Sequence, residues 1–268
     1  MLRAGRYHAG GYKGGGYGGE AVEKKLARLF FWLAVRDYLG EKKFLQGRYL
    51  GLASEEAGDA LTLHGLGVPY ENIVLAETNK MACLAARKKV PLVAVYNEDV
   101  LLTAHRFRTS HFDAVFLDYC GNVTEECLIR STAIAQRCVH SNGLFGIGIH
   151  VGREKDLDKM PDVENAFLKR AHYIKKELKT RIEMHAHRLF SYVASHGHRH
   201  VPMCVYLGTW VKAPCQVQRV ARYKGAKMLL AQWFKSFDKN GMDVSLIFNI
   251  PRTSVAPMRA HITRGTYK

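Results

Sequence analysis

No two of the six cysteines in this chain are spaced as C-x-x-C, which excludes a zinc ribbon and a dithiol redox motif. Cys83, Cys120, Cys127, Cys138, Cys204 and Cys215 are therefore expected as free thiols, buried in a reducing compartment. Long apolar runs are missing too. The longest, "LFFWLAV" at 29–35, is flanked by charges and far shorter than the roughly 20 residues a bilayer span needs. The first residues hold no apolar core with a cleavage site, so no secretory signal is read there and an intracellular protein without a membrane is expected. Acidic residues are in short supply, 24 Asp and Glu against 40 Lys and Arg, for a formal charge of +16. No expected strand is followed by a Gly-x-Gly-x-x-Gly turn, which argues against a dinucleotide-dependent oxidoreductase. What remains is 268 residues, 47% hydrophobic, enough for a sizeable core.

The excess charge is unevenly spread. Residues 1–50 carry 10 basic and 4 acidic side chains, residues 51–150 carry 8 and 11, and residues 151–268 carry 22 and 9. A compact, slightly acidic stretch is thus flanked by basic ones, the footprint of a polyanion partner: RNA, DNA or a nucleoprotein assembly. Residues 1–19 are rich in Gly, with Tyr and basic residues between, and cannot bury enough apolar surface to fold alone. A flexible tail is expected there, whose tyrosines suit base stacking.

From residue 20 the pattern alternates. An amphipathic helix is expected over 20–40, closing at Gly40. Strands follow at 47–53, 72–77, 91–97, 112–118 and 143–150, separated by helices at 55–67, 79–89, 100–108 and 124–139. Apolar strands alternating with helices imply a parallel sheet covered on both faces. A long polar helix is expected over 162–196. Strands at 202–211, 227–235 and 243–250 would add antiparallel to the same sheet, and an irregular basic tail would close the chain.

In such sheets ligands bind at the carboxyl ends of the strands. Those ends hold Ala53, Ser54, Glu55 and Glu56; Glu77, Thr78 and Asn79; Asn97, Glu98 and Asp99; and Asp118 with Tyr119. A carboxylate such as Glu77 after the second strand can accept hydrogen bonds from a ribose diol. "VLAETN", "YNEDV" and "FDAVFLDYCGN", in this order, resemble the ribose-binding acid, the adenine-contacting loop and the strand-four motif of class I S-adenosylmethionine-dependent methyltransferases. The last is similar to the Asp-Pro-Pro-Tyr element of nucleic-acid methyltransferases, keeping Asp118 and Tyr119 without the prolines. The resemblance covers about residues 47–250.

It implies a Rossmann-like three-layer α/β sandwich, mostly parallel, with late antiparallel strands. It implies S-adenosylmethionine as cofactor, held by Gly51, Ala53, Ser54, Glu55, Glu56, Glu77, Thr78, Asn97, Glu98, Asp99 and Asp118. Asp118 would orient or deprotonate the acceptor, and Tyr119 would stack on a base or donate a hydrogen bond. The chain then divides into the tail 1–19, a methyltransferase-like domain 20–250 and a basic tail 251–268. Within the domain come the helix 20–40, a cofactor half 47–150 and a basic substrate-side half 151–250. The departure is the first turn, "ASEEAGDA". Side chains at 53–57 restrict the close backbone approach that a Gly-x-Gly turn allows, and two carboxylates repel the cofactor's own. A nucleic-acid methyltransferase is the first reading. The alternative is an inactive methyltransferase-like protein that serves as a nucleic-acid-binding or structural component of a larger particle.

Two basic stretches suit phosphate contact: Lys175, Lys176 and Lys179 on the expected helix, and Arg219, Arg222, Lys224 and Lys227 around Tyr223. His185 and His187, two apart on a helix, would not share a face, so no metal site is expected.

Overall fold

The computed structural model describes residues 22–119, 124–150, 166–196, 199–210, 215–219 and 264–267. The tail 1–19, the strands expected at 227–235 and 243–250, Cys120, Arg222, Tyr223, Lys224 and Lys227 lie outside the described residues.

Helix α1 (Val22–Leu39) stops at Gly40, whose φ of 78° is open to glycine, and a short helix α2 (Glu41–Gln46) follows, which the periodicity did not indicate. Then come β1 (Tyr49–Leu52), α3 (Gly58–Gly65), β2 (Ile73–Ala76), α4 (Lys80–Lys89), β3 (Ala94–Tyr96), α5 (Val100–His105), β4 (Phe112–Asp118), α6 (Glu125–Cys138) and β5 (Val139–His150). Helix N-termini sit where short polar residues can cap them: the side chains of Asn79, Asp99 and Thr124 each accept a backbone N–H of α4, α5 and α6. Beyond lie α7 (Ala166–Ile182), β6 (His185–His196), β7 (Arg199–Thr209), β8 (Cys215–Arg219) and β9 (Arg264–Tyr267).

The strands form one sheet in the order β3-β2-β1-β4-β5-β7-β6-β8-β9. The pairs from β3 to β5 are parallel, while β7 runs antiparallel between β5 and β6. Helices cover both faces, making a Rossmann-like three-layer α/β sandwich. Alternation along each strand divides the core. Tyr49, Ile73, Leu75, Phe116, Leu144 and Val205 face the layer of α1 and α3. Leu50, Val74, Leu117, Phe145, Ile147 and Tyr206 face that of α6 and α7. Four cysteines, Cys83, Cys127, Cys138 and Cys204, are free and buried, as expected; burial pushes the Cys127 thiol up to about 11.

Three expectations fail. The helix expected over 162–196 ends at Ile182, and residues 185–196 are a strand. Glu183 takes a left-handed φ of 55°, the amide of Met184 bonds back to Leu178 O at 3.3 Å, and β6 then pairs along its whole length with β7. Strand pairing overrides the helical pattern of the charged residues. His185 and His187 are consequently on a strand, with a register shift between Ala186 and Arg188. The tail expected to be irregular contains β9, which pairs antiparallel with the unanticipated β8; the partner is remote in sequence, so no local pattern announces it. Finally, α3 begins at Gly58 rather than at 55, because residues 54–57 form a turn closed by Ala57 N–H on Ser54 O at 3.0 Å.

Candidate functional site

The parallel registers bring Leu52 level with Ala76, and Ala76 level with Tyr96, so the polar residues that follow β1, β2 and β3 share one edge. Asp118, ending β4, lies on the other side of β1 and pairs with Gly148 of β5. Neighbouring strands are about 4.8 Å apart, which puts Glu77 and Asp118 roughly 10 Å apart across β1.

The turn after β1 is built without glycine. Ser54 accepts the Glu56 N–H at 3.3 Å, and Ala57 adopts φ 48° and ψ 37°, the left-handed region glycine usually fills. Ala53 is buried against the sheet, and Glu56 pairs with Lys89 of α4. Gly51 is inside β1, its Cα facing Leu75 and Asp59.

Glu77 is half-buried. Its Oε1 accepts the Asn79 N–H at 2.8 Å, and its backbone N–H bonds to Tyr96 O. Burial holds its carboxyl above the usual range, neighbouring Glu55 adds to the rise, and the N–H groups of Asn79 and Thr78 oppose it. No cation is among these causes. Asn97 spends its Nδ2 on the carbonyls of Glu77, at 2.8 Å, and exposed Thr78, at 3.3 Å, locking the ends of β2 and β3 together.

The remaining acids are engaged. Glu98 takes Arg106 through two oxygens, at 2.5 and 2.7 Å, and Thr103 at 3.1 Å; the Arg106 bond holds its carboxyl below the usual range. Asp99 caps α5 through Leu101 N–H at 2.9 Å and pairs with Arg130 of α6. Asp118 lies under α1: Lys24 Nζ is 2.9 Å and Arg28 Nη2 3.8 Å from its Oδ2. Its Oδ1 is buried with no hydrogen-bond partner. Arg28 is 5% exposed and also approaches Asp59 of α3 at 3.2 Å, which accepts Trp32 Nε1–H at 2.8 Å. The two cations came from a helix that sequence reasoning treated only as packing; basic residues at i and i+4 on an apolar helix were the available sign.

Tyr119 does not face this edge. Its hydroxyl meets Ser131 of α6 at 3.3 Å, and burial raises it far above the usual phenol. That orientation leaves the ring packed against the core beneath α6 rather than presented to a base. On the outer layer, Lys175, Lys176 and Lys179 are exposed on α7, and Arg219 ends β8. A cleft of about 530 Å³ lies instead at the opposite, amino-terminal edge of the sheet, lined by Gly40, Lys42, Lys43, Gly47 and Asp113. Among the described residues no helix is long and apolar enough to cross a membrane.

No protein-family model matches the chain, and no curated protein does either. Solved structures are similar at low identity. An O-methyltransferase from Bacillus cereus in complex with SAH is 15% identical, with a TM-score of 0.47, over 69% of this chain and 80% of that one. A protein described for converting a disulfide bond into a thioacetal group during echinomycin biosynthesis is 14% identical, with a TM-score of 0.45, over 68% and 82%. The spermidine synthase of Thermotoga maritima is 11% identical, with a TM-score of 0.38, over 66% and 60%.

Proposed function

We propose that this chain binds S-adenosylmethionine along the carboxyl edge of β2, β1 and β4 and transfers its methyl group to nucleic acid. The carrying observation is Glu77: a half-buried carboxylate just after β2, with no cation paired to it among the described residues and one oxygen fixed by Asn79. A desolvated acceptor of this kind gains most from a pair of hydroxyl donors, and a ribose diol supplies them. The orphaned Oδ1 of Asp118 across β1 is a second acceptor in want of a donor.

When bound, the cofactor supplies an electrophilic methyl on a sulfonium, displaced in line by the acceptor. The chain's own residues then act mainly by positioning. Glu77 holds the ribose, the Ser54–Ala57 turn bounds the site beside β1, and Asp118 holds the far end. In this reading Tyr119 supports α6 rather than touching the substrate. The excess of Lys and Arg over residues 151–268 supports a nucleic-acid substrate, with Lys175, Lys176 and Lys179 on its path, joined by Arg219, Arg222, Tyr223, Lys224 and Lys227. An intracellular setting is part of the proposal.

One observation favours the alternative of an inactive fold within a nucleoprotein particle. Four strand-end acids, Glu56, Glu98, Asp99 and Asp118, already have cationic partners within the chain. Calorimetric titration of the nucleic-acid-free protein with S-adenosylmethionine and S-adenosylhomocysteine separates the two. Micromolar binding is expected; no heat and no thermal shift at millimolar ligand would overturn the cofactor reading.

The nucleic-acid part has its own check. Changing Lys175, Lys176 and Lys179 together to Gln is expected to flatten the slope of log affinity against log salt by about 2 to 3, since each phosphate contact contributes roughly 0.9 on duplex DNA and 0.7 on single strands. Filter binding between 50 and 300 mM salt, on the order used for such proteins, reads it. An unchanged slope would remove α7 from the path.

A further inference from the structure

We infer that the amino-terminal edge of the sheet, opposite the candidate cofactor site, holds a strand of nucleic acid by its phosphates, on a row formed by Arg48, Arg108, His111 and His140. Arg48 immediately precedes β1, His111 immediately precedes β4, and His140 is the second residue of β5. These three strands are neighbours in the sheet. Neighbouring strands lie about 4.8 Å apart, so the row crosses the edge in steps of that order. Arg48 Nη1 stands 3.5 Å from His111 Nδ1. Arg48 and Arg108 are exposed, and among the described residues neither guanidinium is paired with a carboxylate. Such a surface serves an active enzyme and an inactive component of a particle alike.

The charges in this row do not balance. Burial and the nearness of Arg48, Arg108 and His140 hold the His111 imidazole below its ordinary range, and Asp113 alone opposes them. Asp113 is itself engaged: it accepts the Arg48 N–H at 3.1 Å and pairs with Lys43 of α2 at 3.5 Å. Cationic groups held this close repel one another, and a phosphate set between them removes that cost. The row is also held in place. Phe107 and Phe112 flank the His111 ring at centroid distances of 4.8 and 4.9 Å and fix its orientation, so little order has to be imposed on binding. At Gly47 and Asp113 the row meets the cleft of about 530 Å³, where Lys42 and Lys43 add exposed cations and Glu41 an acid. A concave basic edge admits a chain of phosphates, whereas a bilayer is too flat to follow it. Nucleic acid is therefore the partner this edge fits.

Binding of a labelled, mixed-sequence single-stranded RNA of about 20 nucleotides to the full chain tests this, with salt dependence as the readout. Arg48→Gln combined with Arg108→Gln is expected to flatten the slope of log affinity against log salt by about 1.4, roughly 0.7 for each lost phosphate contact on a single strand. Arg48→Lys combined with Arg108→Lys keeps both charges and should keep the slope. A slope unchanged in the Gln pair would leave the row as solvated charge. A slope that falls equally in the Lys pair would show that the two side chains act on the fold. Either result overturns the inference. Should the Gln pair not fold, modification of the wild-type chain with phenylglyoxal decides: RNA is expected to protect Arg48 and Arg108, and no protection of either would overturn the row. Vesicles of phosphatidylserine and phosphatidylcholine cover the other anionic partner. If the Gln pair loses vesicle binding and keeps the RNA slope, the edge is a membrane surface and not a nucleic-acid one. S-adenosylhomocysteine titration should be unaffected by the Gln pair, because its proposed site lies on the other edge. A wild-type chain that binds RNA but no cofactor would thus sink the cofactor reading alone, and one that binds no RNA would sink this surface together with the α7 path.

Discussion

Glu77→Ala is expected to weaken S-adenosylmethionine binding roughly 100-fold, with little loss of fold. A carboxylate accepting two hydroxyl donors contributes about 1.5 kcal/mol or more per charge-assisted bond, and each 1.4 kcal/mol is tenfold in affinity. The side chain's bonds are to backbone N–H groups of its own turn, from Asn79 at 2.8 Å and from Thr78, so its removal costs the ligand-free protein little. Glu77→Gln sharpens the test. Burial raises the folded-state carboxyl above its ordinary value, so the folded chain binds this proton more tightly than the unfolded one. That stabilising contribution is present below the unfolded pKa and is lost as pH rises through the raised folded pKa. Glu77→Gln, which cannot ionise, should therefore melt slightly higher than wild type at pH 7 and equally at pH 4, while binding the cofactor poorly. Differential scanning calorimetry at the two pH values reads the first effect and titration the second. A variant that is less stable at pH 7 and binds normally would show Glu77 to be a structural turn residue.

Gly146→Ala is expected to destabilise the protein by about 2–3 kcal/mol, or roughly 5–10 °C in melting temperature. A Cβ at Gly146 of β5 would come within 2.2 Å of Phe31 Cε2 and 3.0 Å of Phe116. Phe31 is fully buried and stacks on Phe116 with ring centroids 4.1 Å apart, and Trp32 beside it meets Tyr49 edge-on. The bare backbone at Gly146 lets α1 lie this close to the sheet. Phe31→Leu in the Gly146→Ala background should recover part of the loss, because the two changes share one contact and are not additive. Full additivity in the double-mutant cycle would show that the ring is not what resists the methyl group. The same displacement should lower cofactor affinity, since α1 carries Lys24 and Arg28 to the end of β4.

Much of this architecture is determined locally. Period-two alternation places Ile73, Leu75, Ala114 and Phe116 on one face of the sheet and Val74, Val115 and Leu117 on the other, and the same alternation is written in the chain. Polar residues begin where each strand ends, so Glu77, Asn97, Asp99 and Asp118 could be named as strand-end groups before any coordinates. Asn79, Asp99 and Thr124 cap helices as short polar residues do.

What the tertiary structure alone decided is which of those groups have partners. Arg130 reaches Asp99 from α6, Arg106 reaches Glu98 from the end of α5, and Lys24 and Arg28 reach Asp118 from a helix ninety residues earlier in the chain. It also decided that residues 185–196 extend rather than coil, because β7 offers them a full ladder of partners, and that residues 264–267 find β8. Alternation and capping act between residues a few positions apart, and the sequence records them directly. Ion pairs and strand partners form between segments that only the closed sheet brings together, and burial there sets the character of each carboxylate.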